Sequence, residues 1–313
     1  MKCLITGGAG FIGSHLCERL LSDGHEVICL ENFDPYYSPD IKRKNIEYLL
    51  DQPNCILIEA DIRNKKEMEK IFRMDAIDKV VHLAAKVGVR PSIQDPLSYE
   101  DVNIKGALNL LELSKEHDIR HFIFGSSSSV YGISDKIPFS EDGLVKPISP
   151  YAASKRAGEL LCYTYSHLYD IPISCLRFFT VYGPKQRPEM AIHKFTRLID
   201  QGKEVPMYGD GSSKRDYTYI TDIIDGTMNA LNKKFDFEIF NLGNSKTVEL
   251  RYLISLIEEN LGKKAKIKQL PEQLGDVPIT YADISKSKRL LGYSPKISIE
   301  EGVKRFVEWY RGV

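Results

Sequence analysis

KCLITGGAGFIGSHLCERLL, residues 2–21, holds three local signals in a fixed order. KCLIT is a short apolar run of the kind that forms a buried strand. A glycine-rich turn follows, and FIGSHLCERLLSDG then carries apolar residues at helical spacing. Gly7, Gly10 and Gly13 stand three apart, a variation on the G-x-G-x-x-G spacing. Between a strand and a helix such glycines have separate uses: Gly7 permits the tight turn, Gly10 lets backbone approach a pyrophosphate, and Gly13 allows the helix to pack closely on the sheet. A second strand, HEVICLE (25–31), ends at Glu31. A carboxylate there can accept from a ribose 2′-hydroxyl and repels a 2′-phosphate, which favours NAD over NADP.

Outward from this stretch the rhythm repeats. CILIEAD (55–61), KVVHLAA (79–85), HFIFGSS (121–127) and ISCLRFF (173–179) read as continuous apolar strands, with helix-period segments such as NIKGALNLLELSKEH and SKRAGELLCYTYSHLY between them. That alternation predicts an α/β fold, a Rossmann-type doubly wound parallel sheet covered on both faces. From about residue 180, Gly-, Pro- and charge-rich loops separate isolated helices, and EIFNLGN (238–244) returns as one more strand. The expected organisation is an NAD-binding domain over 1–179, which also receives a strand near 238–242, and a smaller C-terminal α/β substrate-binding lobe over 180–313.

Composition narrows the function classes. Lys plus Arg and Asp plus Glu number 43 each, so no net basic field is available for nucleic acid or anionic lipid. No apolar run approaches the roughly 18 residues of a membrane span, and no signal peptide is evident. The six scattered cysteines include no CxxC pair and the histidines show no ligand spacing, so no disulfide or metal is assigned. A cytoplasmic protein is expected.

GSSSSVYG (125–132) places four hydroxyls where a strand ends. Tyr151 and Lys155 form Y-x-x-x-K, one helical turn apart on one face. With the N-terminal glycines, HLAA (82–85), RFFTVYGP (177–184), GDGSSKRDYTYITD (209–222) and GDVPITYADISKSKRLLGY (275–293), these motifs make the chain resemble the extended short-chain dehydrogenase/reductase family over nearly its whole length. Within the family it is most similar to nucleotide-sugar 4-epimerases, and especially to those that act on UDP-glucuronate.

The resemblance implies a catalytic set of Ser127, Tyr151 and Lys155 with NAD as cofactor. Dinucleotide contacts fall on Gly7, Gly10, Phe11, Ile12 and Gly13, on Glu31 and Asn32, on Asp61 and Ile62 at adenine, and on Leu83, Ala84 and Ala85, besides Tyr151 and Lys155. A free phenol has a pKa of about 10, and the Lys155 ammonium beside an oxidised nicotinamide would stabilise the phenolate. Tyr151 then takes the proton of a sugar C4 hydroxyl as hydride leaves C4. The related sugar dehydratases carry an Asp–Glu pair in the two positions after the catalytic hydroxyl, and related decarboxylases keep the Glu. Here Ser128 and Ser129 stand there. Hydroxyls can hold a substrate but cannot perform that acid–base work, so epimerisation through a transient 4-keto sugar is expected.

For a uronate, Thr180 and Arg187 match the motif that grips the sugar carboxylate, with Ser128 and Ser129 completing the grip. An Arg fork suits that task, although Arg187 also sits in a loop where it could be a solvated charge. Arg215 matches a diphosphate-binding Arg, with an ion pair to Asp222 as its structural alternative. Met207 and Tyr208 match a uracil-packing loop. Asp276 completes the expected substrate set, and Gln273 three residues before it also fits the uronate enzymes. Asp61 could equally cap the helix ahead of NKKEME, and Asn103 is read as a fold-fixing residue. Lys86 departs from the uronate pattern, which keeps 4-epimerisation of UDP-glucose/UDP-galactose or UDP-N-acetylglucosamine open. A non-catalytic NAD-binding sensor is the alternative of another class. A homodimer is expected, built by packing the helices around 101–117 and 151–169.

Overall fold

The computed structural model describes every residue except 75, 135, 273–276 and 313. Strand β1 (Lys2–Thr6) turns through the glycines into α1 (Phe11–Ser22), and the alternation continues with β2 (Glu26–Glu31), α2 (Pro39–Leu50), β3 (Cys55–Glu59), α3 (Lys65–Met74) and β4 (Lys79–His82). Two short helices, α4 (Val89–Gln94) and α5 (Pro96–Glu100), lead into a π-helical turn over Asp101–Lys105 that continues as α6 (Gly106–Glu116). Then come β5 (His121–Ser127), a 3₁₀ turn over Ser128–Tyr131, α7 (Pro150–Tyr169) and β6 (Ile173–Phe178). The remainder comprises β7 (Thr180–Tyr182), α8 (Ala191–Asp200), β8 (Glu204–Tyr208), β9 (Lys214–Arg215), β10 (Tyr217–Tyr219), α9 (Ile220–Asn232) and β11 (Phe237–Leu242). After these the chain forms β12 (Val248–Glu249), α10 (Leu250–Leu261), β13 (Lys266–Leu270), α11 (Ser285–Leu291) and α12 (Ile299–Arg311).

Seven strands form one parallel sheet in the order β11-β6-β5-β4-β1-β2-β3. All seven runs read as strands lie in it, including the late return of β11 to the edge. The order reverses between β1 and β4, so the connections leaving these neighbours diverge and open a crevice at their carboxyl ends. The other strands pair two by two, β10 with β7, β12 with β9 and β13 with β8.

Alternate residues of each strand feed opposite layers. Cys3, Ile5, Val27, Cys29, Val81 and Ile123 enter one core with α1 and α9, whereas Leu4, Ile28, Val80, Phe122 and Phe124 enter the other with α3, α6 and α7. Burial on both faces is why these strands read as unbroken apolar runs. Five of the six free cysteines are buried and the sixth, Cys55, is partly so. Among the described residues no helix is long and apolar enough to cross a membrane.

Candidate active site

A cavity of about 420 Å³ runs along the carboxyl ends of β3, β2, β1, β4 and β5. Its floor at the switch point is backbone. Gly7 has φ +71°, and a Cβ there would lie 2.8 Å from the Ala84 amide nitrogen. A Cβ on Gly13 would lie 2.1 Å from the Gly7 carbonyl oxygen. Both positions therefore require glycine. The Gly7 N–H donates to the Leu30 carbonyl at 2.8 Å, and the Thr6 hydroxyl accepts the Ala84 N–H at 3.2 Å, which locks the turn between β2 and β4. Helix α1 is capped by Gly10 with no side-chain acceptor on its first amides. Those amides, together with the turn that only glycine fits, form a cradle suited to a pyrophosphate.

Gly7, Gly10, Phe11, Ile12 and Gly13 line this end, as do Glu31, Asn32, Asp61, Ile62, Leu83, Ala84 and Ala85. Glu31 is buried, and its Oε1 accepts from Lys42 Nζ at 3.0 Å and from the Phe33 N–H at 3.1 Å. Asp61 accepts from Arg63 and from the Asn32 amide at 2.9 Å, and these hydrogen bonds hold its carboxyl down at about 2 despite partial burial. Asn64, not Asp61, accepts a first-turn amide of α3, that of Glu67. The capping alternative for Asp61 is thus replaced by a side-chain cluster.

The other end is made of side chains. Ser149 caps α7, accepting the Ala152 N–H at 3.2 Å with Pro150 in the first helical position. This start sets Tyr151 in the first turn and Lys155 one turn later, both on the cavity wall. The serines divide. Ser126 is buried and donates to Glu159 Oε1 at 2.6 Å, a structural bond. Ser127 caps the 3₁₀ turn, accepting the Ser129 N–H at 3.1 Å while its hydroxyl also meets Ser129 Oγ at 3.1 Å. The Ser127 hydroxyl also stands beside the Tyr151 phenol in this wall. Burial raises that phenol, while the Ser127 hydroxyl and the Arg187 charge pull it back down. Lys155 is buried, donates to the Gly125 carbonyl at 2.7 Å, and is lowered by burial to about 8.

Thr180 and Arg187 line the same cavity as Tyr151 and the serines. Arg187 Nε lies 2.9 Å from Glu189 Oε1, off the hydrogen-bonding direction, so this buried N–H lacks a partner. Arg215 lines an adjoining 130 Å³ pocket with Ser128, Ser129, Thr180 and Thr280. Its guanidinium donates to the Lys214 carbonyl at 2.9 Å, whereas Asp222 accepts the Lys296 and Ile297 amides. The Asp222 ion pair considered for Arg215 is therefore absent. Met207 is buried in the core and Tyr208 lies under the Arg90 guanidinium at 4.6 Å; neither lines these two pockets. Asp276 and Gln273 lie outside the described residues. Asn103 sits in the π turn, where its amide exchanges hydrogen bonds with the Lys86 backbone and donates to Ser154 at 2.9 Å.

Three groups escaped the sequence reading. Lys42 reaches Glu31 from α2. Tyr36 and Tyr37, in the loop after β2, line the cavity, and the buried Tyr37 hydroxyl has no partner. Glu159 and Arg177 form a buried pair, Nε to Oε1 2.8 Å, behind Ser126. Adjacent tyrosines in a polar loop just past an acid-tipped strand were the available signal for the second group.

Residues 4–306 match the family described as GDP-mannose 4,6 dehydratase. The chain belongs to this family of extended short-chain dehydrogenases/reductases. A relative from Thermodesulfobacterium geofontis, a UDP-glucuronate 4-epimerase, is 44% identical over 98% of this chain and 95% of its own. The crystal structure of a Bacillus cereus UDP-glucuronic acid 4-epimerase in complex with UDP-glucuronic acid and NAD is 39% identical, with a TM-score of 0.93 over 100% of this chain and 99% of that one. A Thermotoga maritima UDP-glucose 4-epimerase with UDP-glucose is 34% identical at a TM-score of 0.93, over 100% and 99%. The family includes enzymes that eliminate water and others that only epimerise, so the residues at the β5 end must separate them.

Proposed function

We propose that this chain is an NAD-dependent 4-epimerase that interconverts UDP-glucuronate and UDP-galacturonate. The observation that carries the reading is one cavity joining Ser127, Tyr151 and Arg187, with hydroxyls at Ser128 and Ser129 where an eliminating enzyme needs an acid and a base. The carboxylates lining that cavity among the described residues, Glu31, Asp34 and Asp61, stand at or just past the ends of β2 and β3.

The glycine cradle, the α1 N-terminus and Glu31 fit NAD, which when bound supplies the hydride acceptor and donor at C4. Tyr151 takes the proton of the C4 hydroxyl and returns it after the 4-keto sugar has turned over. Ser127, beside the phenol, orients O4 and passes the proton. Lys155, fixed by the Gly125 carbonyl, holds positive charge behind Tyr151 and Arg187 holds more in front, so both favour the phenolate. A 4-keto uronate is a β-keto acid and loses CO₂ when its carboxylate bond aligns with the carbonyl π-system. Arg187, with Thr180, Ser128 and Ser129, pins that carboxylate out of alignment. Arg215 takes the diphosphate, while Met207, Tyr208 and Asp276 belong to the uridine and diphosphate side.

We read residues 1–179 as the dinucleotide part and 180–313 as mainly the sugar-nucleotide part. The chain acts as a homodimer, with the outward stripe of α7, where Leu160 and Leu168 are exposed, as the contact. Sedimentation at monomer mass would remove that assignment.

Incubation of purified protein with UDP-glucuronate or UDP-glucose, followed by anomeric-proton NMR, tests the activity. UDP-galacturonate from the first and little product from the second is expected. Turnover of the neutral sugar alone would overturn the uronate assignment, and no product from either would leave a sensor.

A further inference from the structure

Glu31 and Lys42 give the adenosine end a charge balance that the sequence motif does not predict. A lone carboxylate at the end of β2 would discriminate against a 2′-phosphate by repulsion. Here the carboxylate is neutralised: Lys42 Nζ lies 3.0 Å from Glu31 Oε1, the side chains are only 8% and 6% exposed, and both line the dinucleotide cavity. Glu31 Oε1 is held a second time by the Phe33 N–H, and the ammonium stands 5.2 Å over the Tyr37 ring. Lys42 is thus a buried cation whose one acidic partner among the described residues, Glu31, lines the same cavity.

We propose that Glu31 masks Lys42, and that Lys42 is a latent acceptor for the 2′-phosphate of NADP. The preference for NAD then rests on this single carboxylate occupying the cation, not on a net negative charge. The proposal rests on the reading of the cavity as a dinucleotide site. Removing the Glu31 charge leaves an ammonium in place, and a phosphate dianion becomes its partner. A charge-assisted contact of this kind changes relative affinity by roughly 30-fold.

The test reads cofactor content and not turnover. Purified holoprotein is equilibrated with equal NAD⁺ and NADP⁺, desalted and acid-denatured, and the released dinucleotides are quantified by chromatography. Glu31→Gln should raise the NADP-to-NAD ratio roughly 30-fold over wild type, and Glu31→Gln/Lys42→Met should lose that gain. Lys42→Met alone, which leaves a bare carboxylate, should lower the wild-type ratio and provides the second arm should Glu31→Gln not fold. An unchanged ratio in Glu31→Gln, a gain that survives in the double variant, or an unchanged ratio in Lys42→Met overturns the masking. Wild-type protein that retains neither dinucleotide overturns the cofactor reading itself, a distinct result.

Discussion

At the β1–α1 end of the cavity the ligand-facing atoms are backbone, supplied by one stretch between Gly7 and Gly13. At the β5–α7 end they are side chains from separate segments: Ser127 to Ser129 after β5, Tyr151 on α7, Thr180 on β7 and Arg187 in the loop beyond it. A backbone cradle needs only its own turn to be right. A side-chain site needs distant segments held in register, and the material that holds these is polar and buried. Arg177 on β6 donates to both carboxylate oxygens of Glu159 on α7, at 2.8 and 2.9 Å, and to the Tyr131 hydroxyl at 2.9 Å. Glu159 accepts from Ser126, beside Ser127. Glu159 therefore ties the helix carrying Tyr151 and Lys155 to β6 through the ion pair and to the strand end carrying the serines through Ser126.

Tyr151→Phe should separate the two ends most sharply. Loss of the phenolic proton carrier should lower kcat by roughly 10³-fold or more, while dinucleotide content in the denatured extract stays at the wild-type level. Activity within tenfold of wild type would remove Tyr151 as the base.

Arg177→Met should act on the scaffold. It leaves the buried Glu159 carboxylate with Ser126 and the partly exposed Arg156, whose Nη1 lies 2.8 Å from Oε2, so the loss should fall near the lower end of the about 3–5 kcal/mol for one-sided removal of a buried pair. Thermal unfolding should show a fall in Tm of roughly 5 °C. Arg177→Met/Glu159→Leu should recover part of that, because the under-compensated buried carboxylate is gone. A single variant as stable as wild type would mean that the register is held elsewhere.

Arg187→Ala sharpens the sugar end alone. Its buried Nε lacks an aligned partner and its charge already reaches Tyr151. UDP-glucuronate turnover should fall roughly 30-fold further than UDP-glucose turnover in kcat/KM. Equal losses on both substrates would place Arg187 behind Tyr151 without a carboxylate contact.

The same contrast explains what could be read in advance. Seven strands, their parallel sheet and the glycine turn were legible because each is a local signal, a buried run or a spacing. Tyr151, Lys155 and Ser127 were legible through motifs. Lys42 was not, because a lysine on α2 looks like any exposed helical lysine until β2 delivers Glu31 beneath it. Nor was the hydrogen bond from Lys155 to the Gly125 carbonyl, which depends on how closely α7 approaches β5. Nor was the burial of Met207, which the family resemblance places in a uracil-packing loop and whose side chain packs among core residues.

The dinucleotide end nevertheless has one hidden dependence on a side chain. His82 ends β4 beneath the glycine turn, almost wholly buried, with Nδ1 2.8 Å from the Thr6 hydroxyl. That hydroxyl also accepts the Ala84 N–H, so the imidazole is tied through Thr6 to the backbone of the turn. Burial first, and then the Lys155 charge, lowers the imidazole to about 3, against an ordinary value of 6.5. Between these two values the unfolded chain binds a proton that the folded chain refuses, so stability rises with pH through this window and is full above it. By pH 5 the loss from this group is about 2 kcal/mol. The Tm should therefore fall as pH drops from 7 to 5, and His82→Gln, whose amide can hydrogen-bond Thr6 in either sense, should flatten part of that slope. His121, also buried and lowered to about 4, supplies the residual dependence. An unaltered slope in His82→Gln would show that the turn tolerates an imidazolium, and that the backbone end is as independent of its side chains as the motif alone suggests.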